Sequence, residues 1–182
     1  MRIVAGTHRG RRLHHPGADT RPTADRVREA LFSILGTLEG DRVLDLYAGS
    51  GALGIEALSR GAREAVFVDR SRAATQAIER TLGELGVAAE VHRSDALDFL
   101  RRAAAGPGFD LVFLDPPYDQ PVGPGGELAR LITAVLQPNA LIVTESHTRS
   151  PLELPLELRT ERTYGQTRIA IHGAPGAEGS AP

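Results

Sequence analysis

The sequence predicts an α/β protein: a mostly parallel seven-stranded sheet with helices on both faces, a C-terminal antiparallel hairpin, and a small N-terminal hairpin and helix ahead of it. Three observations predict this. From residue 42 onward, short β-rich runs alternate with helical ones, and alternation of that length implies parallel strands covered on both faces. The last two β-runs have no helix between them, so they pair as a hairpin. The 182 residues, 41% apolar and 24% charged, suit one domain with a sizeable core.

The elements follow in order. "RIVAGTHRGRRLHHPG" reads as a small hairpin across Gly6 to Gly10. "TADRVREALFSILG" (23–36) reads as a helix, with Thr23 as its N-cap and Val27, Leu31, Ile34 and Leu35 as its apolar stripe. "RVLDLYA" (42–48), "AVFVD" (65–69), "AEVHRSD" (89–95), "DLVFLDPP" (110–117) and "ALIVTES" (140–146) read as strands. Between them, "GALGIEALSRG", "SRAATQAIERTLGELG", "DALDFLRRAAAG" and "GELARLITAVLQ" have apolar residues at helical spacing, with glycine or proline past their ends. "LELRTERTYG" and "QTRIAIHG" form the closing hairpin, turned at Gly165. The tail "GAPGAEGSAP" has nothing apolar to bury and reads as disordered. The expected division is a basic arm over 1–22, the main domain over 23–172 and the tail over 173–182.

Residues 1–28 hold seven arginines and two acids, a balance of +5, while the chain as a whole carries −2, so the remainder carries −7. A basic segment on an acidic body points to a polyanion contact at one end; a solvated terminal arm is the alternative. Arg9, Arg11 and Arg12 fall on the hairpin, read as mobile, and Arg21, Arg26 and Arg28 on the approach to the first helix and within it. These six are the candidate polyanion-binding residues, unless Arg26 and Arg28 merely pair with nearby acids such as Asp25 and Glu29. There is no cysteine, so disulfides and thiolate metal sites are excluded. The histidines lack ligand spacing, and no metal is expected. No apolar run approaches the ~20 residues that span a bilayer, and the N-terminus lacks a signal-peptide core. A cytoplasmic monomer is expected.

"VLDLYAGSGALG" leaves a strand and opens a helix, and Gly49, Gly51 and Gly54 satisfy G-x-G-x-x-G. Alone, that pattern first suggests a dinucleotide. Asp45, four residues before Gly49, argues otherwise: a carboxylate suits a cation better than a pyrophosphate. S-adenosylmethionine carries a sulfonium and an ammonium and no phosphate. Asp69 could then accept from two ribose hydroxyls, and Asp95 from an adenine amino group. Each acid also suits a helix N-cap. All three fall at the carboxyl side of successive strands, where open α/β sheets bind ligands.

"DLYAGSGALG" resembles motif I of the class I S-adenosylmethionine-dependent methyltransferases, and "DPPY" resembles motif IV of their amino-methylating branch. Together with "RPTADRVREALFSIL" and the late "YGQT", they resemble the bacterial 16S ribosomal RNA guanine-N2 methyltransferases over roughly residues 2 to 172. The resemblance implies a Rossmann-like methyltransferase fold. It implies a cofactor-binding set of Asp45, Tyr47, Gly49, Ser50, Gly51, Asp69, Arg70, Asp95, Ala96 and Asp115. It also implies a substrate guanine in 16S rRNA, within an assembled or assembling small subunit.

The chemistry explains "DPPY". An exocyclic amino nitrogen is a poor nucleophile because its lone pair is delocalised. Two acceptors that bind its hydrogens free that pair. The Asp115 carboxylate supplies one, and the Pro116 carbonyl, held stiffly, the other. Tyr118 offers a stacking ring. The bland alternative is a strand-ending turn. Adenine N6, guanine N2 and a glutamine amide pose the same problem, so the motif does not name the base. A DNA adenine-N6 methyltransferase is the main rival, and such enzymes carry a separate sequence-reading region that does not fit here. A nicotinamide-dependent oxidoreductase is disfavoured by Asp45 and "DPPY", and a noncatalytic RNA-binding module by the intact "DPPY".

Overall fold

The computed structural model describes residues 1–17, 25–116 and 126–174. Its elements are α1 (Asp25–Leu35), β1 (Arg42–Leu46), α2 (Ala52–Ser59), β2 (Glu64–Asp69), α3 (Arg72–Leu85), β3 (Glu90–Arg93), α4 (Ala96–Ala103), β4 (Phe109–Leu114), α5 (Glu127–Thr133), β5 (Leu136–His147), β6 (Glu157–Tyr164) and β7 (Thr167–Gly173). The strands form a seven-stranded sheet in the order β3-β2-β1-β4-β5-β7-β6. The expected architecture is therefore present. The chain divides into two compact units, Met1–Ala96 and Leu97–Pro182.

In the first unit, β1 pairs parallel with β2, and β2 parallel with β3. Val43, Leu44, Leu46 and Ala65 to Val68 are buried, the near-continuous apolar pattern of strands covered on both faces. α3 is bounded by its own caps: the Ser71 side chain accepts from the Ala74 N–H, and Gly86 closes the helix at φ 70°. α1 differs from its expected stripe. Val27, Leu31 and Phe32 turn inward with Arg28, while Ile34 is 38% exposed. The Arg60 guanidinium lies 4.8 Å from the Phe32 ring centroid, a cation–π contact. The expected cap Thr23 lies outside the described residues.

The N-terminal hairpin forms, with Arg2 and Arg12 bridged and Ile3 and Gly10 bonded across it. It is seated rather than mobile. The Val4 and Ala5 N–H groups donate to the Glu56 carboxylate of α2 at 2.8 and 2.9 Å. The Thr7 N–H donates to the Ser59 carbonyl, and the His14 N–H to Thr81 Oγ1 of α3. Ile3 and Leu13 are buried. Gly6 (φ 82°) sits so close to α2 that a Cβ there would lie 1.7 Å from the Ser59 carbonyl oxygen.

In the second unit, β4 pairs parallel with β5, and β7 lies antiparallel between β5 and β6. β5 starts at Leu136, inside the expected helix, and reaches its paired stretch through an irregular register, with Asn139 at φ 67°. β7 runs through Gly173, and the Ala174 N–H donates to the Ala140 carbonyl. Gly173 and Ala174 thus belong to the folded part and not to the expected tail. Residues 175–182 lie outside the described residues.

Candidate functional site

Past β1 the chain turns sharply. Tyr47, Gly49 and Gly51 have φ of 59°, 56° and 72°. A left-handed tyrosine is uncommon, and such strain gathers at functional loops. The Ala48 N–H donates to the Val68 carbonyl, and the Gly51 N–H to the Ala48 carbonyl at 2.7 Å. These bonds aim the turn into α2. Gly54 lets α2 approach β2, since a Cβ there would lie 2.3 Å from the Phe67 ring. A Cβ at Gly49 would meet only the Tyr47 carbonyl, at 3.9 Å. The crest of the loop is therefore open.

Carboxylates take N–H groups in the loop and beside it. Asp45, 3% exposed, accepts from the Gly54 N–H at 2.9 Å. Asp69 accepts from the Gly49 N–H at 2.9 Å and from the Ser71 N–H at 2.8 Å. A pyrophosphate would need those donors and would face those charges; a cation finds the acceptors it needs. Burial pushes the Asp45 carboxyl up to about 7, with the Gly54 bond opposing and the charge of Asp69 adding.

The third strand end joins through the Ser94 N–H, which donates to the Asp69 carbonyl at 3.1 Å. Burial, with the charge of Asp95 adding and Arg70 opposing, pushes the Tyr47 phenol up to about 12, so these three side chains are electrostatic neighbours. Asp95 and Arg70 are exposed, while Ser50 and Ala96 are buried. The structure thus brings together Asp45, Tyr47, Gly49, Gly51, Asp69, Arg70 and Asp95 within the first unit.

In the second unit, Leu111, Val112, Phe113 and Leu114 are all buried. They end at a half-buried Asp115 and a buried Pro116. Pro117 and Tyr118 lie outside the described residues.

Of the arginines expected to face RNA, Arg9, Arg12 and Arg26 are exposed, and Arg21 lies outside the described residues. Arg11 is exposed and donates to the Glu84 carbonyl at 2.8 Å. Arg28 leaves the set. It is fully buried, donating to the Arg2 carbonyl and to Asp25, with Glu56 3.9 Å from its Nε. A guanidinium enclosed in this way holds the hairpin to α1 and offers nothing to a phosphate. Sequence reasoning missed Glu56, which is 1% exposed and also accepts from Arg60 at 2.9 Å. Its signal was a lone acid in the apolar run "GALGIEALS". The Tyr47 strain had no sequence signal. Among the described residues, no group of His, Asp and Glu is placed to hold a metal ion, and no helix is long and apolar enough to cross a membrane.

A sheet of this order, whose first strand turns through glycines into a helix with acids at three successive strand ends, defines the Rossmann-like methyltransferase class. Within that class the chain belongs to the family described as Conserved hypothetical protein 95, whose model matches residues 1–173. Bacillus subtilis YlbH is 42% identical, over 94% of this chain and 98% of its own length. Ribosomal RNA small subunit methyltransferase D of Escherichia coli is 38% identical, over 94% and 89%. The solved structure of Escherichia coli yhhF superposes with a TM-score of 0.82 at 36% identity, covering 96% of this chain and 97% of that one.

Proposed function

We propose that this chain transfers a methyl group from S-adenosylmethionine to the exocyclic N2 amino group of a guanine in 16S rRNA. The substrate is the small ribosomal subunit, assembled or assembling, in the cytoplasm. The observation that carries this reading is the end of β4, where a wholly buried strand delivers a half-buried carboxylate followed by a buried proline. The relative named as a small-subunit rRNA methyltransferase supplies the substrate class.

The residues of the first unit fit the cofactor. Asp45, beneath a glycine turn whose Gly49 and Gly51 N–H groups are already engaged, suits an ammonium; half-buried Asp69 and exposed Asp95 suit ribose hydroxyls and an adenine amino group. Tyr47, Gly49, Ser50, Gly51, Arg70, Ala96 and Asp115 complete the binding set. When bound, the cofactor supplies an electrophilic methyl on a sulfonium. Asp115 accepts one hydrogen of the guanine amino group, and the Pro116 carbonyl accepts the other. The nitrogen lone pair would thereby be released from the ring and take the methyl as the methyl–sulfur bond breaks and the sulfur leaves as a neutral thioether, and Asp115 or water would take the excess proton on nitrogen. Tyr118 stacks on the base. Arg9, Arg11, Arg12, Arg21 and Arg26 hold the RNA backbone.

The test is to map N2-methylguanosine in small-subunit RNA from cells with and without this protein. Loss of one such site, restored by the wild-type chain and not by Asp115→Ala, is expected. An unchanged map overturns the guanine-N2 assignment. Binding of NAD with no binding of S-adenosylmethionine, by calorimetry, overturns the cofactor.

A further inference from the structure

The carboxyl end of β5 carries a second group of residues that the chemistry at Asp115 does not use. β5 ends at His147, β6 ends at Tyr164 and β7 begins at Thr167. His147 is paired with Thr167, and Thr167 with Tyr164. Directly paired residues project from one face of an antiparallel ladder with Cβ atoms about 5 Å apart. An imidazole, a hydroxyl and a phenol ring therefore stand in one row. Tyr164 and His147 are half-buried, and Gln166 and Arg149 beside them are exposed.

Two turns lock this row. Gly165, at φ 63°, makes the turn between β6 and β7. The Thr148 N–H donates to the Gln166 carbonyl at 2.9 Å, which ties the turn after β5 to it. The Arg149 N–H donates to His147 Nδ1 at 3.0 Å. In the neutral ring the proton is then on Nε2, which donates to Gln166 Oε1 at 3.4 Å. The Gln166 amide so held keeps its NH2 free to donate outward. Nearby acids are engaged: Glu153 and Glu161 both pair with Arg168.

The row lies beside the methylation site. Asp115 leaves β4 one residue past Leu114, whose partner on β5 is Thr144. His147 is three residues beyond Thr144, so strand geometry puts the near end of the row about 8 Å from Asp115. That is the reach from one nucleotide to its neighbour in an opened strand. Flat rings, an outward amide donor and an exposed arginine are the groups that recognise single-stranded RNA.

We propose that Tyr164, His147, Gln166 and Arg149 bind the nucleotide next to the target guanine. Tyr164 and His147 stack on its base, Gln166 donates to a base or phosphate acceptor, and Arg149 meets its phosphate. The proposal rests on reading Asp115 as the amino-group acceptor, and it gives the "YGQT" segment a task.

The test uses the full chain and small ribosomal subunits from cells lacking this protein. Subunit affinity is measured directly, alongside KM, kcat and S-adenosylmethionine affinity, for Tyr164→Ala, Tyr164→Phe and Arg149→Glu. Tyr164→Ala and Arg149→Glu are each expected to weaken subunit binding and raise KM about tenfold, the scale of removing one stacking or phosphate interaction. Cofactor affinity stays the same, kcat at saturation changes less than about twofold, and Tyr164→Phe behaves as wild type. Equal subunit affinity and KM in wild type, Tyr164→Ala and Arg149→Glu overturn the proposal. Weakened binding in those variants, with no N2-methylguanosine made even by the wild type, sustains this surface and overturns the guanine-N2 reading instead.

Discussion

In the proposed mechanism Asp115 serves the amino group and Asp45 the cofactor, and each role predicts its own signature. Asp115→Ala removes one of two acceptors that free the amino lone pair. Methyl transfer in a single turnover is expected to fall by about a hundredfold or more, the scale of deleting one preorganised hydrogen-bonding group. Cofactor affinity should hold, because the cofactor's acids remain; near-normal turnover would overturn the role. Tyr118→Phe keeps the ring and is expected to be tolerated, whereas Tyr118→Ala raises KM for the subunit. Asp45 predicts a pH dependence. Burial pushes its carboxyl up to about 7, and only the ionised form attracts an ammonium. Calorimetric affinity for S-adenosylmethionine should therefore fall as pH drops below about 7. Asp45→Asn should bind weakly and without that dependence. Stability of the ligand-free protein runs the other way. The folded pKa is above the unfolded one, so the contribution from Asp45 is present at low pH and is lost as pH rises through about 7. A flat affinity profile in the wild type would remove Asp45 from the ammonium site.

At the scale of elements, the hairpin, α1 and α2 meet on one buried acid. Glu56 accepts from the Val4 and Ala5 N–H groups and from Arg60, and lies beside the enclosed Arg28. Arg28 Nε and Nη1 have no hydrogen-bond partner among the described residues, so the buried charge is compensated by Asp25 first, bonded at 2.9 Å, and then by Glu56 beside Nε. Glu56→Ala should destabilise the fold by about 3–5 kcal/mol, as when one member of a buried pair is removed. Glu56→Gln keeps an acceptor and should cost less; equal, small losses of urea stability in both variants would overturn this account. Of this arrangement the sequence offered the Arg28–Asp25 pair, as the alternative to an RNA contact, and the lone acid Glu56; the rest was not legible, because the Arg2 carbonyl and Glu56 reach Arg28 from segments far along the chain. The strands were legible because both-face burial writes itself as apolar runs such as "DLVFL". The α5–β5 boundary was lost for the same reason: "LITAVLQPNALIV" is apolar enough for either element. At the candidate site, strand-end spacing pointed to Asp45, Asp69 and Asp95. Spacing could not reveal that two of them already hold Gly54 and Gly49 by their N–H groups.

Across the whole molecule, the charge is polarised, with +5 over residues 1–28 and −7 over the rest. The seated hairpin changes what that polarity can do. Arg28 spends its charge inside the fold against Asp25, and Arg11 gives one hydrogen bond to the Glu84 carbonyl. Arg9 and Arg12 remain exposed on a hairpin fixed to α2 and α3. A fixed basic edge meets RNA without first losing the freedom of a mobile arm, so each arginine should hold a defined phosphate. Changing Arg9, Arg11 and Arg12 together to alanine should lower the salt dependence of RNA affinity by a slope of roughly 0.7 to 0.9 for each phosphate no longer neutralised. Arg11→Ala alone should do less than Arg9→Ala or Arg12→Ala. Methyl transfer at saturating RNA and low salt should survive, because no residue at Asp115 is altered. Binding of small-subunit RNA measured against salt concentration decides it, with thermal unfolding as the control. An unchanged slope in the folded triple variant would mean that the hairpin arginines keep the protein soluble and leave the RNA to other surfaces.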